Sequence, residues 1–78
     1  MARDVGVAYQ DARVGDWWRI VPSSQQDRFG LRWILMHGYD VEHSRSPHGA
    51  WDQRAVRVDL PTAMERLEQY LGPHAPRI

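Results

Sequence analysis

Ala55-Val56-Arg57-Val58-Asp59-Leu60-Pro61-Thr62-Ala63-Met64-Glu65-Arg66-Leu67-Glu68-Gln69-Tyr70-Leu71-Gly72-Pro73 changes its hydrophobic period in mid-course, and that change decides the fold class. Over residues 55–60 polar and apolar side chains alternate, so Val56, Val58 and Leu60 share the buried face of an expected strand. Beyond Leu60 the apolar residues Ala63, Met64, Leu67, Tyr70 and Leu71 recur at spacings of three and four, with Glu65, Arg66, Glu68 and Gln69 on the other side. That stripe predicts an amphipathic helix over 62–71. Thr62 with Glu65 three residues on reads as a capping box, and Gly72 followed by Pro73 marks the stop.

Working back toward the N-terminus, Trp17-Trp18-Arg19-Ile20-Val21 and Arg32-Trp33-Ile34-Leu35-Met36-His37 have strand composition, halted by Pro22 and by Gly38. The stretch 22–30 reads as a hairpin connection with room for one helical turn between Ser24 and Asp27, which makes the two strands antiparallel. Residues 40–52 read as a long polar loop, and 5–9 as a weak edge strand. The fold class that follows is α+β, a small three- to four-stranded antiparallel sheet packed on one C-terminal helix. Trp18, Ile20, Trp33, Leu35, Val56 and Val58 are expected to face Met64, Leu67 and Leu71.

Seventy-eight residues suit a single small domain, 1–78, with frayed ends at 1–4 and 73–78. The 42% hydrophobic and 26% charged composition, with four Trp, sets the chain apart from disordered sequences. A core this small has a thin margin, so a homodimer or a life bound to a larger partner is a reasonable expectation. Neither a long apolar run nor a signal-peptide pattern occurs, which predicts a cytoplasmic protein with no membrane partner. All ten basic residues are Arg, with neither Lys nor Asn present; both have AT-rich codons, so the composition suggests a GC-rich bacterial or phage genome and, for a phage protein, the host cytoplasm.

Chemistry is sparsely represented. There is no Cys, the six Gly are scattered among turn positions, and no Ser or Thr sits in a nucleophile-elbow pattern, so neither an enzyme nor a cofactor is expected. His43 and His48, near Asp40, Glu42 and Asp52, are weak metal candidates whose spacing matches no zinc signature; a polar loop explains them better.

Binding is better supported. Alternation puts Trp17, Arg19 and Val21, then Arg32, Ile34 and Met36, then Ala55, Arg57 and Asp59 on the sheet face away from the helix. Trp, Met and Arg are the types enriched where proteins meet, so Trp17, Arg19, Arg32, Met36 and Arg57, with Arg45 and Trp51 from the loop, are the expected contacts for a protein partner. A regulator, an inhibitor or an accessory subunit would fit. In the plainer alternative the N-terminal segment, with Val5, Val7 and Tyr9, folds over these aliphatics and the Arg side chains reach to water.

The same residues also suggest nucleic acid. A three-stranded antiparallel sheet backed by one helix resembles in layout the sheet-reading DNA-binding domains of plant ethylene-response factors and phage integrase arms, although none of their sequence motifs is present. That resemblance implies base or phosphate contacts from Arg19, Arg32 and Arg57 and stacking by Trp17. Zero formal net charge opposes it.

Overall fold

A computed structural model describes residues 3–72, and strand alternation there carries further than the Pro and Gly punctuation suggests. The elements in chain order are β1 Tyr9–Gln10, β2 Trp17–Gln26, β3 Arg32–Ser44, β4 Asp52–Val58 and α1 Leu60–Leu71. The strands pair antiparallel in the order β1-β2-β3-β4, with α1 packed on one face of the sheet. The expected α+β class is what the chain adopts. No helix among the described residues is long and apolar enough to cross a membrane.

The core lies where α1 meets the middle of the sheet. Trp18 and Ile20 of β2, Val41 of β3 and Ala63, Leu67 and Leu71 of α1 are buried together. Tyr9, Tyr39, Ala55, Val58, Leu60, Met64 and Tyr70 surround them. Trp18 stacks on Tyr70 at 4.5 Å between ring centroids and tilts against His43 at 4.6 Å.

Several local expectations are corrected. Pro22 does not end β2 and Gly38 does not end β3. Between the pairs Ser24↔Ile34 and Pro22↔Tyr39, β3 advances five residues while β2 advances two, so Leu35, Met36, His37 and Gly38 bulge out of register. A proline is tolerated at such an irregularity because no ladder N–H is needed there. Gly38 has φ +93, and a Cβ on it would lie 3.0 Å from the Arg57 Cα. The connection is correspondingly short and holds no helical turn: it is a turn at 27–30, where the Asp27 carboxylate accepts from the N–H groups of Phe29 at 2.8 Å and Leu31 at 2.9 Å.

The polar loop is also shorter, running over 45–51 alone. Asp40, Val41, Glu42, His43 and Ser44 complete β3 and are buried. In β4, three steps from Ala55 to Val58 face two steps from Val41 to Tyr39, and Arg57 takes φ 56. This bulge exchanges the faces of Ala55 and Val56, so Ala55 packs on the core and Val56 is 51% exposed, while Val58 keeps its expected place against the core. Trp33 and Leu35, expected in the core, lie outside it, Trp33 being 61% exposed.

The helix starts at Leu60, and its cap is Asp59, whose carboxylate accepts from the Thr62 N–H at 2.9 Å; Thr62 is inside the first turn. Gly72 closes the C-terminal end at φ 79 with its N–H on the Glu68 carbonyl. Arg13, oriented by Asp11, donates to the Tyr70 carbonyl and supplies a cation at the negative end of the helix dipole. Pro73 and the expected frayed tail lie outside the described residues, as do Met1 and Ala2. Arg3 and Asp4 are docked instead of frayed, through Arg3–Glu68 at 2.7 Å and the Asp4 N–H on the Tyr9 hydroxyl at 2.8 Å. The N-terminal segment runs along the β2 edge and brings Tyr9 to the core, and the expected strand over 5–9 is reduced to Tyr9–Gln10.

Candidate functional site

On the face away from α1, Arg19 and Glu42 are opposite one another in the register of β2 and β3, and Gln53 pairs with Glu42 from β4. Residues opposite each other in an antiparallel sheet share a face at contact distance. Arg19 Nε donates to Glu42 Oε1 at 2.8 Å, and the guanidinium lies 4.0 Å from the centroid of the Trp51 ring, which the short 45–51 loop folds back over the sheet. The cation is thus held between a carboxylate and an aromatic face, which fixes both the Arg19 and the Trp51 side chains.

Arg32 approaches the same place from the hairpin end, with Nη1 donating to Ser24 Oγ at 3.0 Å. Two recesses share Ser24, Arg32 and Glu42. One, of about 400 Å³, extends to Gln26, Trp51 and Gln53; the other, of about 200 Å³, extends to Arg19, Val21, Pro22 and Ile34. Together they form a groove with a polar end and a more apolar end.

Beneath the groove, the Asp40 carboxyl group is 1% exposed and joins three strands. It accepts from Ser23 Oγ at 2.7 Å, from Gln53 Nε2 at 2.9 Å and from the Arg57 backbone N–H at 3.0 Å. The last bond satisfies the β4 bulge, where a left-handed residue with a side chain costs roughly 1–2 kcal/mol. Asp40 therefore stiffens the floor on which Gln53 and the strand carrying Glu42 are set.

No family model, curated protein or solved structure matches this chain. The site has to be judged on its own geometry.

Of the residues expected to bind, the structure brings together Arg19, Arg32 and Trp51. Trp17 starts β2 opposite Ser44, half-buried on the same face. Arg57 stands on the β4 bulge, and neither recess includes it. Arg45 lines a separate cleft of about 380 Å³ with His43, Ser46, Asp52 and Arg54. The Met36 side chain lies outside the described part of the structure.

The two histidines are not brought to a common site. His43 Nε2 is 2.7 Å from Asp16 Oδ2 and its Nδ1 is 3.2 Å from Asp52 Oδ1, while His48 is exposed in the loop. The His43 hydrogen bond, helped by the charge of Arg54, holds the Asp52 carboxyl below the usual carboxylate range. Among the described residues no group of three or more His, Cys, Asp or Glu is placed to hold a metal ion.

The residues to which the sequence gives no place on the sheet face are Asp40 and Glu42, read as loop, and Gln53, with Phe29 and Leu31 at the hairpin; Ile34 stands on the open face where alternation puts it. For Asp40 and Glu42 a weak signal is present, since they flank the apolar Val41 at a period of two. Acidic residues are depleted in strands, so their density there resembled a loop.

Proposed function

We propose that this chain is a non-enzymatic protein-binding module that acts by occluding or bridging a larger partner, with the groove on the open sheet face as its contact surface. The observation that supports this reading is the Arg19–Trp51 stack beside Arg32. Trp and Arg provide most binding hot spots, and here their rotamers are set before a partner arrives, which reduces the entropy lost on association. Ile34, 70% exposed, and Val21 add apolar area at the other end of the groove. Arg32 and Trp51 are the anchors, Arg19 positions Trp51, and Trp17 extends the surface along the same face.

The charge balance favours protein over nucleic acid. Glu42 neutralises Arg19, which leaves Arg32 as the groove's one cation among its described lining residues without a carboxylate partner. Phosphate-backbone recognition usually draws on several cations and is strongly salt-dependent.

The test is an affinity capture from the native source, with and without nuclease, using the native chain and an Arg32→Glu/Trp51→Ala variant. A stoichiometric protein that survives nuclease and is lost with the variant is the expected result. Retention that disappears with nuclease would replace this reading with nucleic-acid binding; a partner retained equally by the variant would remove the groove from the contact.

A further inference from the structure

β2 and β3 extend beyond the other strands as a two-stranded arm. β1 pairs only with Trp17 and Trp18, and the β4 ladder on β3 spans Tyr39 to His43, so neither reaches Arg32 and Ile34, which pair with Gln26 and Ser24. The groove runs onto this arm, where a cation without a carboxylate partner adjoins the apolar end.

Arg32 stands at the junction of the two recesses, since Ser24, Arg32 and Glu42 line both. A guanidinium has five N–H donors, and Nη1 of Arg32 commits one of them to Ser24 Oγ at 3.0 Å. The others have no acceptor among the described residues. Two Arg against one Glu leave the described lining of the groove with a single net positive charge, because Glu42 is balanced by Arg19 at 2.8 Å. One such charge matches a carboxylate, which Arg can take on two parallel N–H bonds, better than a phosphate group of about −1.5 to −2.

The neighbouring recess, walled by Val21, Pro22 and Ile34, has a volume of about 200 Å³. Small-molecule sites usually offer about 300–1,000 Å³, so this one suits a single aliphatic side chain. Arg32 and Ile34 lie two residues apart on β3 and share its open face, a separation of about 6.6–6.8 Å. Side chains i and i+2 of an extended peptide have the same separation and point the same way.

We propose that the groove takes an extended segment of the partner in which a carboxylate and an aliphatic side chain stand two positions apart. The carboxylate sits on Arg32 and the aliphatic group enters the recess of Val21, Pro22 and Ile34. The larger recess continues past Arg32 to Gln26 and Gln53, so the segment runs on beyond the carboxylate, which is therefore an Asp or Glu side chain and not a chain end. The assignment rests on the groove reading and adds the chemistry of the partner to it.

The test is an NMR titration of the isotopically labelled full chain with short, end-blocked Gly/Ser peptides carrying Asp-Ser-Leu or Leu-Ser-Asp at the centre. One of the two orders should bind in the millimolar range or tighter and shift the Trp51 indole and Ile34 amide signals. Replacing its Asp by Asn, or its Leu by Ser, should weaken binding by at least about tenfold. Arg32 and Ile34 are both exposed, so Arg32→Gln should keep the fold and abolish the preference for Asp over Asn, while Ile34→Ser reduces that for Leu over Ser. Equal affinity for the Asp and Asn peptides, an Asp preference unchanged in Arg32→Gln, or no binding of either order overturns the proposal. The Asp and Asn comparison on the native chain is decisive even if a variant does not fold. Should the peptides fail while a partner captured from the native source still depends on Arg32 and Trp51, the segment chemistry is wrong and the groove reading stands; a captured partner indifferent to both residues fails the groove reading itself.

Discussion

β2 and β3 each pass through two environments. In the helix-backed body, Ile20 and Val41 face each other at 0% exposure; some residues along the same strands, in the arm, Trp33 and Ile34 are 61% and 70% exposed. Strand composition is similar in both halves, and length accounts for the difference. A helix of 12 residues extends about 18 Å, whereas a strand of 13 residues extends about 43 Å. The molecule measures 48 Å along its longest axis, so one short helix leaves part of the hairpin without cover. Between the halves lies the Leu35–Gly38 bulge, where the register with β2 breaks.

If stability resides in the body, the sharpest disruption is Leu67→Ala. Leu67 is fully buried beneath the sheet, so the truncation should cost about 2–5 kcal/mol and unfold much of the population, as read by urea denaturation. A loss below about 1 kcal/mol would mean that α1 is not the main support of the sheet. Next in size is Asp40→Ala, which strands the Ser23 hydroxyl, the Gln53 amide and the Arg57 N–H. Three donors left without their acceptor should lower stability by about 1–3 kcal/mol. The denaturant midpoint should fall while the slope is kept.

The arm should respond differently. Ile34→Ser should change stability by no more than about 0.5 kcal/mol, because the residue is already 70% exposed. A larger loss would show that the arm supports the body and would erase the contrast between them.

Acid provides the smallest and most local comparison, through the depressed carboxyl of Asp27 in the arm and that of Asp59 at the helix start. The Trp33 indole, with the backbone N–H groups of Leu31 and Phe29, holds Asp27 below the ordinary carboxylate value in the arm. The Thr62 side chain and its N–H do the same for Asp59 at the start of α1. A depressed folded-state pKa adds stability that is fully present above the unfolded value and is lost as pH falls through the folded one. Both regions should therefore be flat in neutral solution and change below about pH 4. Trp33 emission should follow Asp27 while helical ellipticity follows Asp59, and Asp27→Asn should abolish the first step alone. A coincident step surviving that substitution would indicate global acid unfolding instead.

The legible parts of the fold were those governed by local chemistry. The stripe from Ala63 to Leu71 and the Gly72 stop place the helix to within two residues, the difference being that the capping box reads Thr62 as the cap where Asp59 fills that role and Leu60 and Pro61 form the start of the first turn. Trp18 and Ile20 were assigned to the correct face, and so were Arg19 and Arg32. What was not legible depended on partners distant in sequence. Asp40 and Glu42 are acceptable inside β3 because Ser23, Gln53, Arg57 and Arg19 supply donors from 13 to 23 residues away. The β4 bulge exchanged the roles of Ala55 and Val56, and nothing in the alternation of that strand announced it.

Hydrophobic period and helix-stop chemistry, which act between residues a few positions apart, determined the class of fold, the antiparallel hairpin and the helix. Only the tertiary structure decided which stretches of strand the helix covers, that Trp51 turns back onto Arg19, and that Trp33 stands in solvent rather than in the core. Those outcomes depend on the relative lengths of packed elements and on cross-strand hydrogen bonds, which exist only once the chain has closed on itself.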